Sequence, residues 1–266
     1  MKNLTKILCL VLALCTVFSF ASCTKEEDNT LTCGVTIIPG LNEKDADGNW
    51  IGFESEFAME VGKLLDMKVE FQIIDWTQKY NEVNSGAIDC IWNGFTANSQ
   101  DDGKDRSEYV DFSYGYMLNQ QCIVVKADKV ADYKTEADLK GKTACVEGGS
   151  AGASYAETAT DKDKISSTTA QINTFTEVKS GAVDFAVVDI VLAQNICGKG
   201  DYTDLAIVEA IELGSEIYAV GFKKGSDLKD KVNEAILTLE ENGKLAELAK
   251  KYGFENVVKV DKETKF

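Results

Sequence analysis

Residues 82–89 read EVNSGAID, and residues 177–184 read EVKSGAVD. Each copy has the grammar of a helix end, a glycine placed to close it, and the start of an apolar strand. The strands run on as Ile88–Trp92 and Val183–Val188, and each gives out at a polar residue, Asn93 or Asp189. Working outward, β-branched and apolar runs predict strands at Leu31–Ile38, Val69–Ile74, Gln121–Lys126 and Lys142–Val146. Helical spacing predicts helices at Phe53–Leu65, Gln78–Asn84, Ala151–Thr158 and Ile190–Cys197, with a helical end over Asp227–Tyr252 divided at Gly243. This alternation implies an α/β chain of two similar lobes, each a mostly parallel sheet flanked by helices. The expected division is 31–119 plus 221–266 for the first lobe and 120–220 for the second, with the two crossings forming a hinge. Ligands of open parallel sheets sit beyond the carboxyl ends of the strands. Facing lobes would therefore set Asn93 and Asp189 across a cleft.

The chain has 266 residues and a formal net charge of −16. That acidity argues against nucleic acid, whose phosphates need clustered lysine and arginine. Histidine is absent, which removes Ser-His-Asp and Cys-His catalysis and histidine-type zinc sites. Arg106 is the single arginine among 28 basic residues, so its guanidinium invites the question of what it binds. Glu136 stands where a phosphate loop ending in Gly141-Lys142-Thr143 needs its first glycine. The glycines at 148, 149 and 152 lack dinucleotide-loop spacing, and Asp45–Gly48 is too short for a calcium loop. No cofactor is implied.

Residues 1–23 read MKNLTKILCLVLALCTVFSFASC. A basic start, an apolar run and two small residues before Cys23 make a secretory signal. The end resembles the lipobox of bacterial lipoproteins, with Phe20 in place of leucine, so residues 1–22 are expected to be removed and Cys23 lipidated. Residues 23–30 would then tether the protein to the outer face of the membrane. Five cysteines follow, at 33, 90, 122, 145 and 197. Four lie in β-branched runs, where a buried thiol is the expected role.

Residues 88–113 read IDCIWNGFTANSQDDGKDRSEYVDFS. This stretch resembles the family-3 extracellular solute-binding proteins, the amino-acid receptors of ABC importers. Their pattern is met by Asp89–Thr96 and by Arg106 with Val110-Asp111-Phe112-Ser113. Further matches are Gly52-Phe53-Glu54, Asp138–Thr143, Gly149-Ser150 and Val183–Asp189.

The resemblance implies a two-lobe Venus-flytrap fold that closes on a free, polar amino acid and delivers it to a permease. The physical chemistry agrees, because a carboxylate suits the planar fork of arginine better than a lysine ammonium. The resemblance assigns Arg106 and Thr96 to the ligand carboxylate, with the amides of Ser150 and Ala151 at a helix start. Asp189 and Asn93 take the ammonium, and Trp76 covers the side chain. Structural readings stand beside these: Asp189 also suits the cap of the helix at Ile190, Asn93 and Thr96 suit a strand exit, Trp76 suits core packing, and Arg106 could be a surface charge. Departures from the pattern are a longer Thr96–Arg106 spacing, Ala151 where a second hydroxyl is usual, and no acidic or aromatic residue over Thr36–Pro39. The rival reading is a dehydratase or lyase on the same lobes, with Glu54, Asp111 or Asp189 as acid or base.

Overall fold

The computed structural model describes residues 29–266; the signal segment and Cys23 lie outside them. β1 (Thr30–Val35) is followed by a small hairpin of β2 (Glu43–Lys44) and β3 (Trp50–Ile51), and then by α1 (Phe53–Leu64). β4 (Lys68–Ile73) leads through a 3-10 turn at Trp76–Gln78 to α2 (Lys79–Ser85) and β5 (Cys90–Ile91). The residues that lengthen the Thr96–Arg106 spacing fold into a second hairpin, β6 (Gln100–Asp101) and β7 (Lys104–Asp105), with Asp102 and Gly103 both at positive φ in its turn. β8 (Asp111–Phe112) precedes β9 (Gly115–Lys126), the long strand that leaves this half.

The second half repeats the plan. β10 (Ala144–Glu147), α3 (Ala151–Ala159), β11 (Ile165–Thr168), α4 (Gln171–Ser180), β12 (Phe185–Asp189), α5 (Ile190–Ile196) and β13 (Leu205–Ile207) come in order. β14 (Ser215–Tyr218) and β15 (Gly221–Phe222) return to the first half, which α6 (Leu228–Glu241), α7 (Lys244–Tyr252) and β16 (Val258–Asp261) complete.

The two sheets have the orders β4-β1-β5-β15-β8 and β11-β10-β12-β9-β13. In each, the leading three strands are parallel and the last two antiparallel to their neighbours. The sheets are thus less uniformly parallel than the sequence suggests, because the crossing strands join them with reversed direction. β9 and β14 pair antiparallel from Ser215–Gln120 to Tyr218–Met117, and β16 joins β9 near its start. The first-half core is built around α1, where Phe57 meets Trp92 edge-on at 5.3 Å and Tyr116 at 5.4 Å. Cys33, Cys90, Cys122 and Cys145 are buried free thiols and Cys197 is half-buried. No helix among the described residues is long and apolar enough to cross a membrane.

The echoed octapeptides adopt the same structure. Gly86 (φ 79°) ends α2 and donates to the carbonyls of Glu82 and Val83; Gly181 (φ 80°) ends α4 and donates to those of Glu177 and Val178. The closing aspartates also match. Asp89 accepts the Thr32 N–H at 2.8 Å, and Asp184 accepts the Thr143 N–H at 2.8 Å. Each ties the incoming strand to the chain beside it. Gly86→Ala and Gly181→Ala should therefore destabilise the protein to a similar degree, ~1–2 kcal/mol each, since both force a Cβ into the left-handed region. Urea unfolding of the two variants measures this, and a large cost for only one of them would break the structural equivalence.

Candidate functional site

At the carboxyl end of β5 the chain turns through Asn93 and Gly94, while the carboxyl ends of β10 and β12 bring Glu147 and Asp189 toward it. These residues, with Trp76, Thr96, Arg106, Ser150, Ala151 and Gln171, line one tight cavity. All seven ligand-site residues expected from the sequence are among them. Arg106, Thr96 and Trp76 come from the first half; Ser150, Ala151 and Asp189 come from the second.

Arg106 is 1% exposed, so it is no surface charge. Its guanidinium lies over the Phe95 ring at 5.2 Å. Nε and Nη2 donate to Asp101 Oδ1 at 3.2 and 3.0 Å, Nη1 donates to the Thr96 carbonyl at 3.1 Å, and Nη2 reaches the Gly149 carbonyl at 3.3 Å. The fork expected to face a ligand is thus turned toward Asp101, carried by the β6–β7 hairpin. One Nη1 hydrogen is left over, because a guanidinium has five N–H groups. Lys79 joins the group, with Nζ 2.9 Å from the Gly149 carbonyl and 3.1 Å from Asp101 Oδ2. Burial, and then the neighbouring Arg106, bring the Lys79 ammonium down to about 8. Burial works to raise the Asp101 carboxyl, but Arg106 and Lys79 outweigh it and hold it below its usual range. Two cations share one carboxylate, so this end of the cavity carries a net positive charge. Gly149 sits at φ 70°, a conformation a side chain resists, and thereby aims its carbonyl at both cations.

Ser150 caps α3, its Oγ accepting the Ala153 N–H at 3.0 Å. Its own N–H goes to the Glu147 carbonyl at 3.2 Å. That leaves the N–H groups of Ala151 and Gly152, which open the helix and so lack intrahelical acceptors.

The opposite wall is acidic. Asp189 precedes α5, yet its side chain makes no cap. It accepts from Gln171 at 2.5 Å, Gln121 at 2.6 Å and Asn119 at 2.9 Å. Glu216 stands behind, taking Asn119 at 2.6 Å, Gln121 at 3.0 Å and the Thr96 hydroxyl at 3.2 Å. Burial lifts the Asp189 carboxyl above its usual range; burial, and then Asp189, push Glu216 to about 7. Glu147 goes higher, to about 8, through burial and then Asp189, with Thr36, Lys79 and Gln171 offsetting this only in part. Its Oε1 is buried without a hydrogen-bond partner.

Asn93 has its amide fully used within the first half. Oδ1 accepts from the Thr36 N–H at 2.9 Å and hydroxyl at 2.7 Å, while Nδ2 donates to the Thr36 carbonyl and to Asn42 Oδ1. It holds the strand exits together at the cavity wall. Trp76 is buried edge-on to Phe95 at 5.5 Å. Of the acids weighed for catalysis, Glu54 lies in the core below, accepting from Tyr116 and twice from Gly94. Asp111 is outside the cavity, on Lys224 and the Gly225 N–H.

Residues 31–256 match the family model for bacterial extracellular solute-binding proteins, family 3. The chain belongs to that family. Its relatives include the arginine-binding extracellular protein ArtP of Bacillus subtilis (strain 168), 28% identical over 93% of this chain and 97% of that one. The L-cystine-binding protein TcyA of the same organism is 30% identical over 82% of this chain and 78% of its own. The structure of an ancestral arginine-binding protein bound to arginine superposes with a TM-score of 0.76 at 30% identity, covering 84% of this chain and 98% of that one. The two-lobe fold of this solute-binding protein is thereby established.

Glu147, Gln171, Lys79, Asp101 and Glu216 escape the sequence reading. One local signal existed for Glu147, a charge closing the apolar strand ACVE before two glycines.

The raised carboxyls make stability depend on pH. Glu54 at about 7, Glu147 at about 8 and Glu216 at about 7 hold protons that the unfolded chain sheds near 4.5. Their contribution is complete below about 4.5 and is lost as pH rises through those folded values. The Tm of ligand-free protein should fall by several degrees between pH 5 and pH 7.5, and Glu147→Gln should flatten that slope. A scanning-calorimetry series at the two pH values checks both.

Proposed function

We propose that this chain is the receptor of an ABC importer, closing on a free amino acid between its lobes and handing it to the permease. The observation that carries the reading is the charge layout of one cavity shared by both lobes: a net positive end beside a helix start, and a carboxylate wall opposite. An α-amino acid has that same polarity. In this reading its carboxylate meets the free Nη1 hydrogen of Arg106 and the opening amides of α3, beside Thr96, whose hydroxyl is held by Glu216. Its ammonium meets Asp189, whose amide donors hold it in place. Trp76 covers the rest. The hinge is β9 with β14, and the lobes divide at 119/120 and 220/221. Closure brings Gly149 against Arg106 and Lys79 and excludes water, the usual mode of hinge closure around a ligand.

We further propose that residues 1–22 are a signal peptide and that Cys23 carries the lipid. Two or three acyl chains at ~0.8 kcal/mol per buried methylene hold a protein stably on a membrane. The chain acts as a receptor and not as an enzyme. Glu54 is tied down outside the cavity and Asp111 lies away from it, so the acids weighed for catalysis reduce to Asp189, which is already engaged by three amides.

Removing one partner of a buried, hydrogen-bonded charge contact costs ~2–5 kcal/mol, so Arg106→Lys and Asp189→Asn should each weaken binding of the co-purifying solute by roughly 30-fold to several thousand-fold. Titration calorimetry measures this, and near-wild-type affinity in both variants would put the site elsewhere. Recovery of the solute chemically unchanged after incubation separates receptor from enzyme. Cys23→Ser should move the protein from the membrane fraction to the soluble one; equal retention would contradict the lipid anchor.

A further inference from the structure

We infer that Glu147 selects a ligand whose side chain carries a second positive charge, an ammonium or a guanidinium. The inference rests on the amino-acid reading of the cavity and adds the ligand's class to it. Glu147 ends β10 and lines the cavity beside Ser150, Gln171 and Asp189. It is 2% exposed, and its Oε1 has no hydrogen-bond partner. Thr36 and Gln171 reach Glu147 but leave that oxygen bare, whereas the other acids nearby are already served. Asp189 has three amide donors, Glu216 has two amides and a hydroxyl, and Glu54 has Tyr116 and Gly94. Lys79, whose charge acts on Glu147, makes its contacts to Asp101 and the Gly149 carbonyl instead.

The charges around the cavity then sum to a pattern. Lys79, Arg106 and Asp101 leave one positive charge at one end; at the other, Asp189 supplies one negative charge, and Glu147 supplies a second once its proton leaves. A neutral zwitterion balances the positive end and Asp189 and leaves Glu147 over. An amino acid with a cationic side chain balances all three. A buried carboxylate oxygen with no donor is costly, and a ligand N–H of full positive charge is the donor that offsets the cost best. Burial raises the Glu147 carboxyl, so the same cation would also draw its proton off on binding.

The decisive comparison uses near-isosteric pairs on the full-length protein in detergent, stripped of bound solute: L-arginine against L-citrulline, and L-lysine against L-norleucine. Wild type should bind the charged member of each pair at least ~30-fold tighter, the scale expected for a buried charge contact. Glu147→Gln should remove most of that preference while retaining citrulline binding, which also shows the variant is folded. If Glu147→Gln does not fold, Glu147→Asp and the wild-type pair ratios carry the test. Equal affinity within the pairs in wild type, or an undiminished preference in the Glu147 variant, overturns the inference and leaves the amino-acid reading intact. Failure of all twenty amino acids to bind wild type overturns the amino-acid reading, and this inference with it.

Discussion

Two carboxylates, Asp189 and Glu147, face a closed cavity from the strand ends of the same lobe, and the rest of the structure is arranged around the cost of burying them. Asp189 is made tolerable by amides from Gln171, Gln121 and Asn119. Two of those donors, Gln121 and Asn119, stand on β9, the strand that joins the lobes, and both also hold Glu216 on the neighbouring crossing strand. In the proposed reading the ligand-side acid and the hinge are therefore one hydrogen-bonded network. On that proposal a cation arriving at Asp189 would change the charge balance at the place where the lobes pivot.

The Gly149 carbonyl ties the second lobe to the first. Its left-handed backbone lets it accept from Lys79 and Arg106 of the opposite lobe, so under the proposed closure the same cations that give the cavity its positive end would also latch the lobes together. Asp101 moderates them. Without it, two buried cations would stand side by side; with it, one net positive charge remains. The β6–β7 hairpin that supplies Asp101 also reaches across to α3, where the Ser154 hydroxyl donates to the Gln100 carbonyl.

Much of this was legible in the sequence, for physical reasons. The repeated octapeptides fold alike because Gly-capped helix ends and buried strands are local and strongly encoded, and α1, α3 and the divided terminal helix fall within a residue or two of their expected bounds. The start of β9 was not legible, since Gly115–Gln120 mixes polar residues into a crossing strand that serves both lobes. Strand β5 is shorter than its apolar run because Trp92 packs against Phe57 in the core and Asn93 turns to brace Thr36 and Asn42 at the cavity wall. The seven expected site residues do meet, but their roles are finer than a motif can specify. Asn93 braces the wall through Thr36 and Asn42, and Arg106 reaches Asp101 first. Asp101, Lys79 and Glu216 gave no signal, because in a chain of 44 acidic and 28 basic residues nothing local marks a charge that folding will bury.

The measurement that tests the central claim most directly is mass spectrometry of the solute that leaves the full-length protein on denaturation. The account predicts one small molecule per chain, an α-amino acid with a cationic side chain. Recovery of a stoichiometric solute lacking the paired α-carboxylate and α-ammonium would contradict it.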